Sequence, residues 1–233
     1  MTNALAFSAY YELAKPRMVY ANVVVAAAAF YYASHGSIEW LTLAATLAGL
    51  GLVIASGCVF NNYYDRDIDA AMERTKCRAM PTGSVPRGNA LVWGTVLLGV
   101  GMALLGFVNM QALMVAAVGW VAYVLLYTPL KHRSPSALFV GAVAGATPPV
   151  VGYAAAYGAL DMVALYLFVL LFVWQLPHFI AISIYRGEEY ASAGVPMYIR
   201  GPFSAGQKKL ARRVFHASLV VLLAGCASLV VLA

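Results

Sequence analysis

Apolar residues run along this chain in long unbroken blocks, neither alternating nor confined to single helical stripes. Seven blocks suit membrane helices: 18–34, 40–63, 89–108, 112–129, 136–157, 161–185 and 214–233. Each approaches the roughly 20 mostly apolar residues needed to span the hydrocarbon core of a bilayer. The alternation of a transmembrane strand is missing from them. The pattern predicts an all-α fold, a polytopic bundle forming one transmembrane domain over 1–233. Gly and Ala recur inside the blocks, as in Ala26-Ala27-Ala28-Ala29 and Gly141-Ala142-Val143-Ala144-Gly145. Small residues let helix backbones approach closely in lipid. Pro148, Pro149 and Pro177 lie inside blocks. Each predicts a kink, or a backbone group served by a neighbouring helix.

Composition strengthens the membrane reading. Hydrophobic residues make up 63% of the 233 and charged residues only 10%. Soluble domains carry about 25% charged residues, so a soluble globular protein is excluded. Collagen-like, disordered and disulfide-scaffold classes fail on composition too. Cys58, Cys77 and Cys226 are odd in number and far apart, without CxxC spacing. They predict neither a disulfide framework nor a zinc site, and Cys58 and Cys226 read as packing residues. The N-terminus lacks the short apolar run and cleavage site of a signal peptide, so none is expected.

On a soluble protein a net charge of +6 would suggest nucleic acid, but here position matters more. All 15 Lys and Arg fall in four segments. These precede block one (Lys15, Arg17) or lie between blocks two and three, four and five, and six and seven; Arg200 is in the last. The intervening turns near 34–39, 107–111 and 157–161 contain no Lys or Arg. With seven spans, the four basic segments share one side. The positive-inside rule predicts that this side, with the N-terminus, is cytoplasmic.

Candidate chemistry sits between blocks two and three, in Asn61-Asn62-Tyr63-Tyr64-Asp65-Arg66-Asp67-Ile68-Asp69. Asn61, Asp65 and Asp69 are spaced four apart, directly after the apolar stretch 51–60. On a helix each such step rises about 6 Å and turns the side chain about 40°. Three oxygen-bearing groups would therefore line one face of a helix end. Polar residues at a helix end are often only a solvated cap. This cluster begins within a span, where a carboxylate costs about 2.5–3.5 kcal/mol at mid-depth and less near the interface. Carboxylates about 6 Å apart along a helix are too far apart to chelate one ion neatly. They suit two Mg²⁺ ions that also take phosphate oxygens. Arg74, Lys76 and Arg78 follow, as cations for the remaining phosphate charge.

The NxxxDxxxD pattern of Asn61, Asp65 and Asp69 resembles that of the UbiA-like intramembrane prenyltransferase superfamily. Stretches 55–75, 127–155 and 172–197 are similar to the branch of that superfamily that farnesylates protohaem IX. The likeness runs from Lys15-Pro16-Arg17 to about Pro202. It implies helices surrounding a central cavity open to lipid, in a bacterial plasma (inner) membrane. It implies farnesyl diphosphate and haem b as substrates, haem O and diphosphate as products, and Mg²⁺ as the metal. Haem A synthase or terminal-oxidase assembly factors are implied as partners, and no nucleic acid. On this likeness Asn61, Asp65 and Asp69 are catalytic and metal-binding, and Arg74, Lys76, Arg78 and Lys131 contact diphosphate. Lys131 also reads as a plain positive-inside anchor, with Tyr127 on the same side.

Two departures stand out. The family has nine spans where seven are visible, and the chain stops inside its seventh block at Ala233, so truncation at the C-terminus is expected. The second Asp-rich motif of the superfamily is missing: 178–190 holds Arg186, Glu188 and Glu189 but no Asp. Branch members often carry Asp at the position of Glu189, which makes Glu189 a candidate for the second metal. His178 follows Pro177 in an apolar block. A lone histidine there is more often a packing residue; a haem substrate makes it a candidate axial ligand, since imidazole commonly ligates haem iron. His35, His132 and His216 receive no role. Two other functions remain open: prenylation of an aromatic quinone precursor, which should bring the second Asp-rich motif, and cation transport. The acids lie near one membrane face and no inverted repeat is visible, which disfavours transport.

Overall fold

The computed structural model describes residues 3–199 and 201–233; Arg200 lies outside them. Among the described residues every regular element is helical. The helices are α1 (Asn3–Leu13), α2 (Pro16–Ala33), α3 (Trp40–Ala71), α4 (Arg87–Val108) and α5 (Met110–Val121). A π-helical turn, Ala122–Tyr127, joins α5 to the short α6 (Thr128–Leu130). Then come α7 (Ala137–Gly145), α8 (Thr147–Tyr157), α9 (Met162–Tyr185), α10 (Gly187–Ser192) and α11 (Ala205–Val231).

Among the described residues six helical stretches are long and apolar enough to cross a membrane: α3, α4, α5 to α6, α7 to α8, α9 and α11. The chain is a multi-pass membrane protein. Block one is helical as well, but Arg17, Asn22 and three tyrosines in α2 dilute its hydropathy below that of the six. Its role is central nonetheless. Its alanines Ala26 and Ala29 are fully buried, and it packs along α8. A Cβ on Gly152 of α8 would stand 2.0 Å from the Ala26 carbonyl oxygen, so this contact of two backbones requires glycine. Leucines and valines on the outer faces of α9 and α11, such as Leu165, Val169, Val220 and Leu223, remain exposed, as helices facing lipid require.

Pro148 and Pro149 act as the sequence predicts. Pro148 and Pro149 split block five at Ala146, because neither has an N–H to continue the ladder. The freed Ala144 carbonyl accepts from Thr147 Oγ1 at 2.8 Å. Gln175 of α9 donates to the Ala142 carbonyl at 3.3 Å and to Leu171 at 3.0 Å. Pro177 is contained within α9.

The lysine- and arginine-free turns gather at one end. There Asn109 caps α5 through Ala112 N–H and donates to the Ala154 carbonyl at 2.9 Å. Asp161 caps α9 and accepts from Tyr153 Oη at 2.8 Å. At the other end α3 continues unbroken for 32 residues, about 48 Å at 1.5 Å per residue, well beyond the hydrocarbon thickness of about 30 Å. Its last turns carry the acidic cluster out of the apolar zone without ending the helix.

Candidate active site

Asn61, Asp65 and Asp69 lie on one buried face of α3, each no more than 5% exposed. All three line a cavity of about 280 Å³ at the basic end of the bundle. Lys15, Arg74, Arg78 and Lys131 line it too, with Tyr123, Tyr127 and Tyr190. Three chain segments thus supply one cationic wall opposite one acidic helix face: Lys15, the loop after α3 and Lys131.

Each acid has a cation. Asp65 is ion-paired to Lys131 through one oxygen and meets His132 Nε2 at 3.0 Å through the other. Asp69 pairs with Arg78 at 3.0 Å, and its backbone carbonyl accepts from the buried Thr75 hydroxyl at 2.9 Å. Asn61 Oδ1 accepts from Lys15 Nζ at 2.6 Å, and Asn61 Nδ2 donates to Thr128 Oγ1 at 3.1 Å. Lys15 reaches inward from an αL backbone (φ 50°, ψ 62°), sparsely populated for a residue with a side chain. Pro16 disfavours the ordinary α region for Lys15, and the left-handed turn delivers its amine to the site. Burial lowers the pKa of that amine, and the charges of Lys131 and Arg78 act the same way. Burial raises the pKa of the Tyr190 phenol.

Behind this polar mouth lies an apolar chamber of about 380 Å³, lined by Met18, Trp120, Trp174, His178, Phe179 and Leu219 among others. Tyr123, Tyr127 and Phe179 line both spaces and so form the wall they share. The π-helical turn shapes this wall. Pro129 cannot donate an amide, and both the N–H and the hydroxyl of Thr128 turn back to the Tyr123 carbonyl. The wider turn leaves Tyr123 and Tyr127 stacked at 5.5 Å with 15° between their planes. His178 lies deeper, its Nδ1 2.8 Å from Ser218 Oγ of α11.

Some expected residues fall elsewhere. Lys76 is outside the cavity, half exposed and paired with Glu73 at 2.6 Å. The loop after α3 winds in helix-like turns, with Lys76 N–H on the Met72 carbonyl and Thr82 N–H on Arg78. In such turns Arg74 and Arg78 share a face and Lys76, two residues from each, points away. Glu189 holds two arginines, Arg74 at 3.2 Å and Arg186 at 3.1 Å, and so ties the α9–α10 junction to the loop after α3. Lys15 and His132 join the site, although neither is expected there from the sequence. For His132 a signal existed: it directly follows Lys131. For Lys15 the signal was the proline after it.

Hard oxygen donors suit Mg²⁺, and these donors face cations suited to phosphate. Among the described residues no three His, Cys, Asp or Glu side chains converge on one point. That too fits Mg²⁺, which is commonly held by one or two carboxylates, substrate phosphates and water.

An acid-lined helix end, a ring of cations and an apolar chamber behind them define a membrane prenyltransferase site, and the family comparison agrees. The model of the UbiA prenyltransferase family matches residues 5–233, and the chain belongs to that family. Among its relatives, a protoheme IX farnesyltransferase of Marinomonas is 44% identical over 210 residues, 89% of this chain and 70% of the relative. A protoheme IX farnesyltransferase 2 of Chromobacterium violaceum is 40% identical over 93% of this chain and 73% of its own length. Two solved structures share the fold. A digeranylgeranylglyceryl phosphate synthase superposes with a TM-score of 0.70 at 21% identity, over 93% of this chain and 76% of that one. A UbiA homologue from Archaeoglobus fulgidus, bound to DMAPP and Mg²⁺, gives 0.67 at 16% identity, over 93% and 77%.

Proposed function

We propose that the protein transfers the farnesyl group of farnesyl diphosphate to a vinyl group of protohaem IX, with addition of water, giving haem O and diphosphate. The observation that carries this reading is the union of a metal- and phosphate-suited mouth with an apolar chamber that contains an inward histidine. The names of its relatives at 40–44% identity support the choice of substrates.

Asn61, Asp65 and Asp69 hold Mg²⁺, which supplies positive charge to the departing diphosphate. Lys131, Arg78, Arg74 and Lys15 bind phosphate oxygens and stabilise the charge that grows as the C1–O bond breaks. The bond electrons leave with the diphosphate. The allylic cation is attacked by the vinyl π pair, and a water then adds to the new cation and releases a proton. The chamber keeps other water from the farnesyl cation. Tyr123 and Tyr127 stand where the mouth meets the chamber, beside the path of the farnesyl group. Glu189 acts through Arg74, which it orients; His178 contacts the haem.

The site faces the cytoplasm of a bacterial plasma membrane, as the basic segments at its mouth suggest. Its product suits haem A synthase or oxidase assembly as the next step. Incubation of membranes containing the protein with labelled farnesyl diphosphate and haem b should give labelled haem O. Label incorporated into 4-hydroxybenzoate and not into haem would replace this reading with quinone-precursor prenylation.

A further inference from the structure

His178 is held by α11 in a way that fixes its chemistry. Its Nδ1 lies 2.8 Å from Ser218 Oγ, and Ser218 Oγ lies 2.7 Å from the Phe215 carbonyl oxygen. A serine hydroxyl has one proton. A carbonyl cannot donate, so the short contact to Phe215 is attractive only if Ser218 spends its proton there. Ser218 Oγ must then accept at His178, and Nδ1 must carry the ring hydrogen. In the neutral ring Nε2 is left with a bare lone pair. Nε2 makes no hydrogen bond among the described residues, and His178 lines the apolar chamber.

The ring has little freedom. It stacks against Trp174 at 5.4 Å and Phe215 at 4.5 Å. Trp174 is tied to the same residue, since its indole Nε1 donates to the Ser218 backbone carbonyl at 3.0 Å. Ser218 therefore holds two rings of α9, His178 through its side chain and Trp174 through its main chain.

We infer that Ser218 is a positioning residue for the haem substrate: it holds His178 as the Nδ1–H tautomer and aims the Nε2 lone pair at the haem iron. The inference rests on the proposed function. Ligation forms an Fe–N bond from a lone pair already free, so no proton need leave the apolar chamber. An acceptor behind the ring also makes the ligand more basic and fixes its plane. The porphyrin is thereby oriented from its centre, while the farnesyl group is oriented from its diphosphate.

The test uses the full chain, purified and titrated with haem b, with farnesyl diphosphate binding measured in parallel. Ser218→Ala should weaken haem binding about 10- to 100-fold. It should also lower the iron–histidine stretching frequency of the ferrous complex and leave farnesyl diphosphate affinity unchanged. Ser218→Thr, which keeps the hydroxyl, should restore both haem readouts. His178→Ala should abolish the iron–histidine band. If Ser218→Ala keeps wild-type haem affinity and stretching frequency while His178→Ala loses the band, the role of Ser218 is overturned and haem ligation by His178 stands. If threonine fails to restore what alanine loses, or if both substrates weaken together, Ser218 supports packing and the inference is wrong. Failure of the unaltered protein to bind haem b would overturn the proposed function itself.

Discussion

Lys131 and Asp65 form an ion pair across 66 positions of sequence, bringing the loop after α6 onto the acidic face of α3. Arg78 does the same for Asp69 from nine residues away. A buried carboxylate without a partner is costly, and these cations hold the face near neutrality. They also stand where a diphosphate would need them. In the proposed reaction the carboxylates would hold the metal and the cations would turn to phosphate.

Asp65→Asn and Asp69→Asn should each reduce haem O formation by at least about 100-fold while the protein stays folded in the membrane. Asparagine keeps the volume but loses the charge a metal needs. Haem O measured chromatographically at limiting Mg²⁺ checks this, and near-normal turnover in either variant would remove that carboxylate from the metal site.

Cation position separates Arg78 and Lys131 from Lys76. Arg78→Ala and Lys131→Met should raise the KM for farnesyl diphosphate about 10-fold or more, since a charge-assisted contact is worth about 1.5–3 kcal/mol. Lys76→Ala, outside the cavity, should leave it unchanged. Lys131→Met should also destabilise the protein by about 3 kcal/mol, because Asp65 is buried and loses its main partner. Steady-state kinetics and thermal unfolding read the two effects separately.

Exhaustive EDTA treatment should abolish turnover, and Mg²⁺ alone should restore it. Full activity after chelation would contradict a metal-assisted departure of diphosphate.

The contact between α2 and α8 should tolerate no side chain at 152. Gly152→Leu would drive a Cβ to within 2.0 Å of the Ala26 carbonyl, a backbone atom that cannot rotate away. Folded protein recovered from detergent should fall severely. Gly225→Ala, which meets no atom within 4 Å, should be neutral.

Single cysteines can test orientation in a background without the native three. Ser84→Cys belongs to the basic end and Ser34→Cys to the opposite one. An impermeant reagent applied to intact cells should label the second. Labelling of the first alone would invert the proposed topology.

The class of protein and the line of the acidic face are legible in the residues alone. Long apolar blocks leave the backbone in lipid no alternative to helix, and Asn61, Asp65 and Asp69 need only helical periodicity to align. Local turn geometry, which composition hides, decided that Arg78 enters the site and Lys76 does not. Longer-range facts came only with the tertiary structure. Lys15 meets Asn61 because a left-handed residue before Pro16 turns its amine inward, and His132 meets Asp65 because α6 ends beside α3. The hydrogen position on His178 depends on Ser218 of α11, 40 residues on, and on how that serine uses its single proton. Hydrophobic periodicity is a property of one segment, whereas ion pairs and tautomers belong to the contact between two, which only packing brings together.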